Sequence, residues 1–342
     1  MLMKIAIVGE AWGEVEERTR NPFSGPVGHE LTRMLGEAGI RRDECYLTNV
    51  FNLRPRPSND IKNLCAPEKP SNTGGLPALS QGKYVRPEYL PEVRRLYNEL
   101  SRVRPNITIA VGNTATWALL LSTGISKLRG VVTTATAKEV SGFKVLPTYH
   151  PSAVCREWSL RPVTVLDLKK ARRESEYPEI RRPERLIYIE PSLSDLEWFY
   201  DTHLRNADEI TFDIETAGDM VTCIGFAPNP GVAIVIPFHD PRVPSGSFWS
   251  TPSDEAQAWA FVRRILNLPC PKSGQNTIYD ITFLWVKHGM YPVNYEDDTM
   301  LLHHALQPES EKGLGFLGSV YTNEASWKLM RTRGKETIKR DE

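Results

Sequence analysis

Residues 210–216 read ITFDIET, and this stretch decides how the second half of the chain folds. Ile210, Phe212 and Ile214 are apolar and alternate with polar residues, the pattern of a buried strand. Asp213 and Glu215 then project to the same face, where like charges repel unless a cation sits between them. The pair predicts a metal site or an acid/base pair, and it asks for another carboxylate downstream. Asp280 supplies one, in GQNTIYD at 274–280.

Around this strand the reading predicts an alternation of elements. A strand is expected at 186–189 and a helix at 192–204, with Ser194 and Glu197 as its capping box. Strands at 222–227 and 232–237 are joined by the turn sequence PNPG, and 240–251 is a loop. A helix at 253–266 carries Asp254 and Glu255 near its N-terminus, where they suit the helix dipole. KSGQN at 272–276 leads into a helix bearing Tyr279, Asp280, Phe283 and Leu284, and 299–305 is a further helix. Upstream, RRESEYPEIRRPER at 172–185 is charged and holds two prolines, which places a linker at 177–185.

The first half alternates strands and helices as well. MKIAIV at 3–8, CYLTNVF at 45–51, residues 107–111 and residues 145–149 read as strands; 29–38, 89–103, 114–121 and 163–175 read as helices. Residues 52–86 form a long irregular excursion rich in Pro, Asn, Ser and Gly. The pattern predicts a parallel sheet covered on both faces, with ligands at the carboxyl ends of its strands. Glu10, Asn49 and His150 all fall at or near such ends.

The 342 residues suffice for two domains. Lys+Arg and Asp+Glu number 42 each, so net charge gives nucleic-acid binding no support, although a local groove can be basic on a neutral chain. Five widely spaced cysteines read as reduced thiols, neither a disulfide frame nor a zinc site. MLMKIAIVGE enters a strand at once, so no signal peptide is expected. No apolar run approaches the roughly 18 residues of a membrane span. The expectation is a cytoplasmic protein of a bacterium or phage-infected host, without a membrane partner.

IVGEAWGEVEERTRNPFSG, YLTNVFNLRP and LPTYHPSAVCR…DLKKA resemble the uracil-DNA glycosylase superfamily, in the bacterial group with a GEAPG-like first motif and its phage relatives. The resemblance covers residues 3–175. It implies an α/β/α sandwich that flips uracil from DNA and cuts its N-glycosidic bond. It also implies roles. Glu10, with the backbone of Gly9, Ala11 and Gly13, forms the water-holding, phosphate-side loop. Phe23 stacks on the flipped base. Asn49 reads the Watson–Crick edge, and His150, with Ser152 beside it, donates to uracil O2 as charge builds on the leaving base. Two departures stand out. The group's four cluster-binding cysteines have no counterpart, so no iron–sulfur cluster is expected. Trp12 replaces the usual proline of the first motif.

FDIET, GQNTIYDITFL, DDTMLLHHALQP and KGLGFLGSVYT resemble the DnaQ-like, DEDD 3′–5′ exonuclease domain of family A DNA polymerases. That resemblance covers 186–342 and implies a ribonuclease H-like mixed sheet. Asp213, Glu215 and Asp280 would hold two Mg2+ or Mn2+ ions, and Asn276 would shape the 3′-end site. Asp298 is read as structural, as are His303 and His304. The third motif, Tyr-x-x-x-Asp, does not follow Tyr321, so the fold is expected to lack its last helix.

The sequence thus predicts an α/β protein of two domains, 1–176 and 186–342, that combines uracil excision with a partial proofreading exonuclease. It is read as a hydrolase or nuclease acting on single-stranded DNA or frayed 3′ ends, with a separately encoded DNA polymerase piece as partner. One alternative is a non-catalytic module that binds DNA or polymerase. Another, a cofactor-binding enzyme with GEAWG as phosphate loop, lacks any GxGxxG or Walker pattern.

Overall fold

In the computed structural model, which describes residues 4–69 and 75–324, the first apolar run forms β1 (Ile5–Ala11). Helices α1 (Glu14–Thr19) and α2 (Pro26–Glu37) follow, then β2 (Cys45–Phe51). The excursion after it carries a small ribbon, β3 (Cys65–Ala66) against β4 (Tyr84–Val85). Next come α3 (Leu90–Val103), β5 (Ile107–Val111), α4 (Asn113–Leu120), α5 (Ile125–Leu128), β6 (Thr133–Thr134), β7 (Lys144–Thr148), α6 (Pro151–Arg156) and α7 (Leu160–Glu174).

The sheet order is β2-β1-β5-β7-β6. The first four strands are parallel, and β6 joins as a short antiparallel edge that the sequence reading did not place. Ala6 and Val8 of β1 pack in one apolar cluster with Leu96 and Trp117; Ile5 and Ile7 pack in another with Leu31, Leu35 and Leu168. A strand buried on both faces has to be apolar throughout, which is why MKIAIV shows no alternation. Helices on both sides make this an α/β/α sandwich. Its parallel strands present Glu10, Asn49 and His150 at one edge.

The second sheet begins at β8 (Leu186–Tyr188), followed by α8 (Leu193–Phe199). Strand β9 (Ile210–Ala217) pairs antiparallel with β10 (Met220–Asn229), and β10 with β11 (Val232–Pro237). Then come α9 (Pro252–Leu266), β12 (Lys272–Gly274), α10 (Ile278–His288), β13 (Tyr295–Asp298), α11 (Thr299–Leu306) and α12 (Leu314–Tyr321). The order β13-β12-β9-β10-β11-β8 is a mixed sheet, with β12 parallel to β9 and β8 parallel to β11. On β9, Ile210, Phe212 and Ile214 are buried while Asp213 and Glu215 are exposed, as the alternation requires.

Further details differ from the sequence reading. The cap of α8 is Ser192 with Asp195, two residues earlier than expected: Asp195 N–H donates to Ser192 Oγ at 3.2 Å and Ser192 N–H to the Asp195 carboxylate at 2.9 Å. The chain also divides into compact units differently. One unit runs to Arg181 and resumes at Gly315; the other is Arg182–Leu314. Residues 315–324 thus group with the first unit, whereas the sequence reading carries the second domain to 342. The segment where a third exonuclease motif would fall lies outside the described residues.

Candidate active site

A bare backbone at position 9 makes the site possible. A Cβ on Gly9 would stand 2.2 Å from Asn49 Oδ1 and 2.5 Å from the Phe23 ring. Gly9 lies opposite Asn49 in the parallel β1–β2 pair, so the pairing itself brings the amide to the loop after β1. Phe23 adopts φ of +55°, a left-handed conformation costly for a bulky residue. Its carbonyl accepts from Arg42 at 3.0 Å, and Gly28 leaves space beneath it. The loop is pinned by Glu16, whose carboxylate accepts from the N–H of Gly13 at 3.1 Å and of Gly25 at 2.7 Å.

Asn49 is buried, at 2% exposure. Its carbonyl accepts from Arg95 at 2.8 Å, but among the described residues no protein group hydrogen-bonds its carboxamide. Its donor and acceptor are unspent and border the cavity, where both are available to a ligand.

Glu10, near the end of β1, accepts a hydrogen bond from the Thr114 hydroxyl. Burial raises its carboxyl above the ordinary value; the Thr114 bond opposes this, and the nearby Asp60 charge adds to it. His150 is the N-cap of α6. Its Nδ1 accepts from Ser152 N–H at 3.1 Å and lies 2.7 Å from the Ser152 hydroxyl. A backbone N–H can only donate, so Nδ1 is unprotonated and the neutral ring carries its proton on Nε2. Burial, with the Arg156 charge adding to it, pushes the imidazole down to about 4.

Glu10, Phe23, Asn49 and His150 line one cavity of about 440 Å³, with Ala11, Gly13 and Ser152 in its wall and Gly9 beneath Asn49. Ring, amide, neutral imidazole donor and partly desolvated carboxylate face a common space. Trp12 also lines it, held by Arg20 5.5 Å above its ring. Sequence reasoning gave no role to Thr114 or Arg156. The end of β5 at Gly112 was the signal that could have found Thr114.

In the second unit, Asp280 is buried, and its Oδ1 accepts from Ile214 N–H at 2.8 Å. Its carboxyl is raised by burial first, and the charges of Asp298 and Glu215 raise it further. Asp213 and Glu215 share the exposed face of β9. Even so, among the described residues no group of three His, Cys, Asp or Glu side chains stands close enough to hold one ion. Asn276 takes φ of +57° at the turn into α10, with its N–H on Asp298 at 3.0 Å. Asp298 also accepts from the N–H of Thr277 at 3.0 Å and of Met300 at 2.8 Å, which makes it structural.

The family model of the uracil DNA glycosylase superfamily matches residues 2–174, half of the chain. The chain belongs to the uracil DNA glycosylase superfamily. It is similar to the type-4 uracil-DNA glycosylases of Thermotoga maritima, 32% identical over 49% of this chain and 76% of that protein, and of Archaeoglobus fulgidus, 32% identical over 49% and 74%. This membership makes it a DNA-processing enzyme of the hydrolase class.

Members with an iron–sulfur cluster need four thiolate ligands. The first unit offers three cysteines. Cys45 is buried, donates to the Arg41 carbonyl at 3.4 Å and has its thiol pushed up to about 11 by burial. Cys65 is buried on the Ile61 carbonyl, and Cys155 is exposed. This donor set does not fit a cluster.

Among solved structures, the chain resembles ribonuclease D of Trypanosoma brucei in complex with RNA U12 (TM-score 0.33, 15% identity, 43% of this chain and 50% of that one). It also resembles ribonuclease D of Escherichia coli (TM-score 0.32, 16% identity, 44% and 36%). The chain spans less than two thirds of either, and likeness at this level assigns neither substrate nor mechanism. Among the described residues no helix is long and apolar enough to cross a membrane.

Proposed function

We propose that the first unit excises uracil from DNA by hydrolysis of the N-glycosidic bond. The observation that carries this reading is the unspent, buried Asn49 carboxamide, which faces the Phe23 ring and the neutral His150 across one cavity. Phe23 offers a stacking face to an extruded base, and Asn49 offers a donor and an acceptor to its edge. As the bond to the sugar breaks, negative charge grows on the base. The His150 ring is held through Nδ1 by Ser152 and is uncharged, so its Nε2–H can stabilise that charge with little reorganisation. Glu10, its carboxyl raised by burial, positions and polarises the attacking water. Trp12 is the residue most apt to shift base preference, because it lines the cavity where the family has a proline.

For the second unit we propose divalent-cation-dependent 3′–5′ cleavage of single strands or frayed ends. The placement of Asp280 favours it: its carboxylate accepts from the N–H of Ile214, the residue between Asp213 and Glu215, and a cation would relieve repulsion among these acids. Asp213 and Glu215 would supply oxygen donors from β9, and Asp280 would be drawn in by the ion, since among the described residues no three such side chains already stand close enough to hold one; hard oxygen donors suit Mg2+ or Mn2+. Bound there, the ion would supply charge stabilisation to phosphodiester cleavage. A polymerase polypeptide as partner, and a place in phage or bacterial replication and repair, belong to this proposal.

The test is release of free base. The chain is incubated with a single strand holding one uracil, and the small-molecule fraction is analysed by mass spectrometry. Uracil release that is lost in Asn49→Ala supports the reading; no free base from the wild-type chain overturns it.

A further inference from the structure

Residues 315–324 follow the second unit in sequence yet group with the first. What holds them is a buried cluster of two cations and one carboxylate: Arg129, Lys170 and Asp167 are 3%, 2% and 1% exposed. Arg129 pairs with Asp167 through Nε at 2.9 Å and through Nη2. That leaves the Lys170 ammonium without a carboxylate of its own. It donates instead to the carbonyls of Gly130 at 2.8 Å, Ser319 at 2.5 Å and Thr322 at 2.5 Å. Two of these three acceptors come from the end of α12 and its tail, the negative end of a helix. Arg129 also donates to Ser319 Oγ at 2.9 Å and lies 5.2 Å from the Phe316 ring centroid, and Asn323 donates to Glu174 at 2.8 Å. Burial pushes the Lys170 ammonium down to about 8, against the opposing charge of Asp167.

The same Asp167 carboxylate accepts from the Thr148 hydroxyl at 2.7 Å. Thr148 is the last residue of β7, two positions before His150. On one side of this strand end Gly130 N–H donates to Pro147 at 2.8 Å; on the other, Gly112 N–H donates to Thr148 at 2.8 Å. The cluster therefore grips the strand end that delivers the histidine. Without residues 315–324, two buried cations would share one carboxylate, and Asp167 would be drawn from Thr148 or water admitted.

We propose that residues 315–324 are a positioning element of the glycosylase site, acting through Arg129, Asp167 and Thr148 on the placement of His150. This rests on the uracil-excision reading. It means that a segment encoded after the second unit is required for full activity of the first.

The test uses the full chain and four variants: Ser319→Ala, Ser319→Leu, Thr148→Val and Thr148→Ser. Excision kinetics and the imidazole nitrogen shifts of His150 are both measured. Ser319→Leu and Thr148→Val are expected to lower kcat about 10-fold, about 1.4 kcal/mol in barrier, with KM within twofold. The His150 shifts are expected to move towards a mixture of tautomers. Thr148→Ser keeps the hydroxyl and is expected to recover most of the loss. Ser319→Ala is the milder probe should the leucine variant fail to fold. Wild-type kcat and unmoved His150 shifts in the folded Ser319 and Thr148→Val variants would overturn the proposal. If the wild-type chain releases no uracil, the excision reading fails, and the His150 shifts still decide whether the segment positions the ring.

Discussion

The backbone N–H of Ser152 donates to Nδ1 of His150 at 3.1 Å, which fixes the imidazole proton on Nε2. The ring is half-buried, and desolvation lowers its pKa to about 4, against 6.5 in an unfolded chain. The unfolded state therefore binds more protons between these values, and stability rises with pH across that window. Acidification from pH 6.5 towards 4 is expected to cost on the order of 3 kcal/mol through this group. Urea unfolding at pH 7 and pH 4.5, compared with His150→Gln, reads it: the variant loses most of that pH dependence.

Gly9→Ala forces a Cβ into the Asn49 amide and the Phe23 ring. Moving either by about an ångström is expected to reduce kcat about 100-fold, and the overpacking to cost about 1–3 kcal/mol of stability. Steady-state excision kinetics and thermal unfolding on one preparation check both. Wild-type kcat in this variant would mean that Asn49 and Phe23 do not meet the base.

The Thr114 hydroxyl bonds the Glu10 carboxylate and opposes the rise caused by burial. Thr114→Val removes that opposition, so the Glu10 carboxyl rises further. If Glu10 must be ionised to position water, the acid limb of the kcat profile moves to higher pH in this variant. A limb that stays in place, or moves down, removes Glu10 from that role.

Asp280 combines a raised carboxyl with a hydrogen bond from Ile214 N–H. Its pKa in the folded chain exceeds the unfolded value, so its contribution weakens as pH rises through the folded pKa. Asp280→Asn keeps an acceptor for Ile214 and removes the charge; it is expected to be neutral or slightly stabilising at pH 7. Asp280→Ala leaves a buried N–H unpaired and costs about 1–3 kcal/mol. Both are expected to abolish stabilisation of the chain by Mg2+ in thermal unfolding.

The strands that carry the site were legible because their burial leaves a plain trace. β1 is apolar from Ile5 to Val8 because both its faces are covered there; β9 alternates because one face is open. Short polar strands left no such trace. β13 reads YEDD, and β6 is Thr133–Thr134, so nothing in their residues separates them from loop. At α8 the sequence reading takes Ser194 with Glu197 as the cap, whereas the geometry uses Ser192 with Asp195. Contacts distant in sequence were beyond reach: Thr114 meets Glu10 across 104 positions, and Ser319 meets Arg129 across 190. The second of these moves residues 315–324 from one unit to the other, which no local pattern announces.

The central claim is that the cavity at Asn49 and His150 breaks an N-glycosidic bond. A 5′-labelled single strand with one internal uracil, incubated with the chain in EDTA and then treated with alkali, tests it most directly. The account predicts a single break at the uracil, lost in His150→Gln and Asn49→Ala, since none of the residues invoked there needs a metal. A strand that stays intact in EDTA would contradict it.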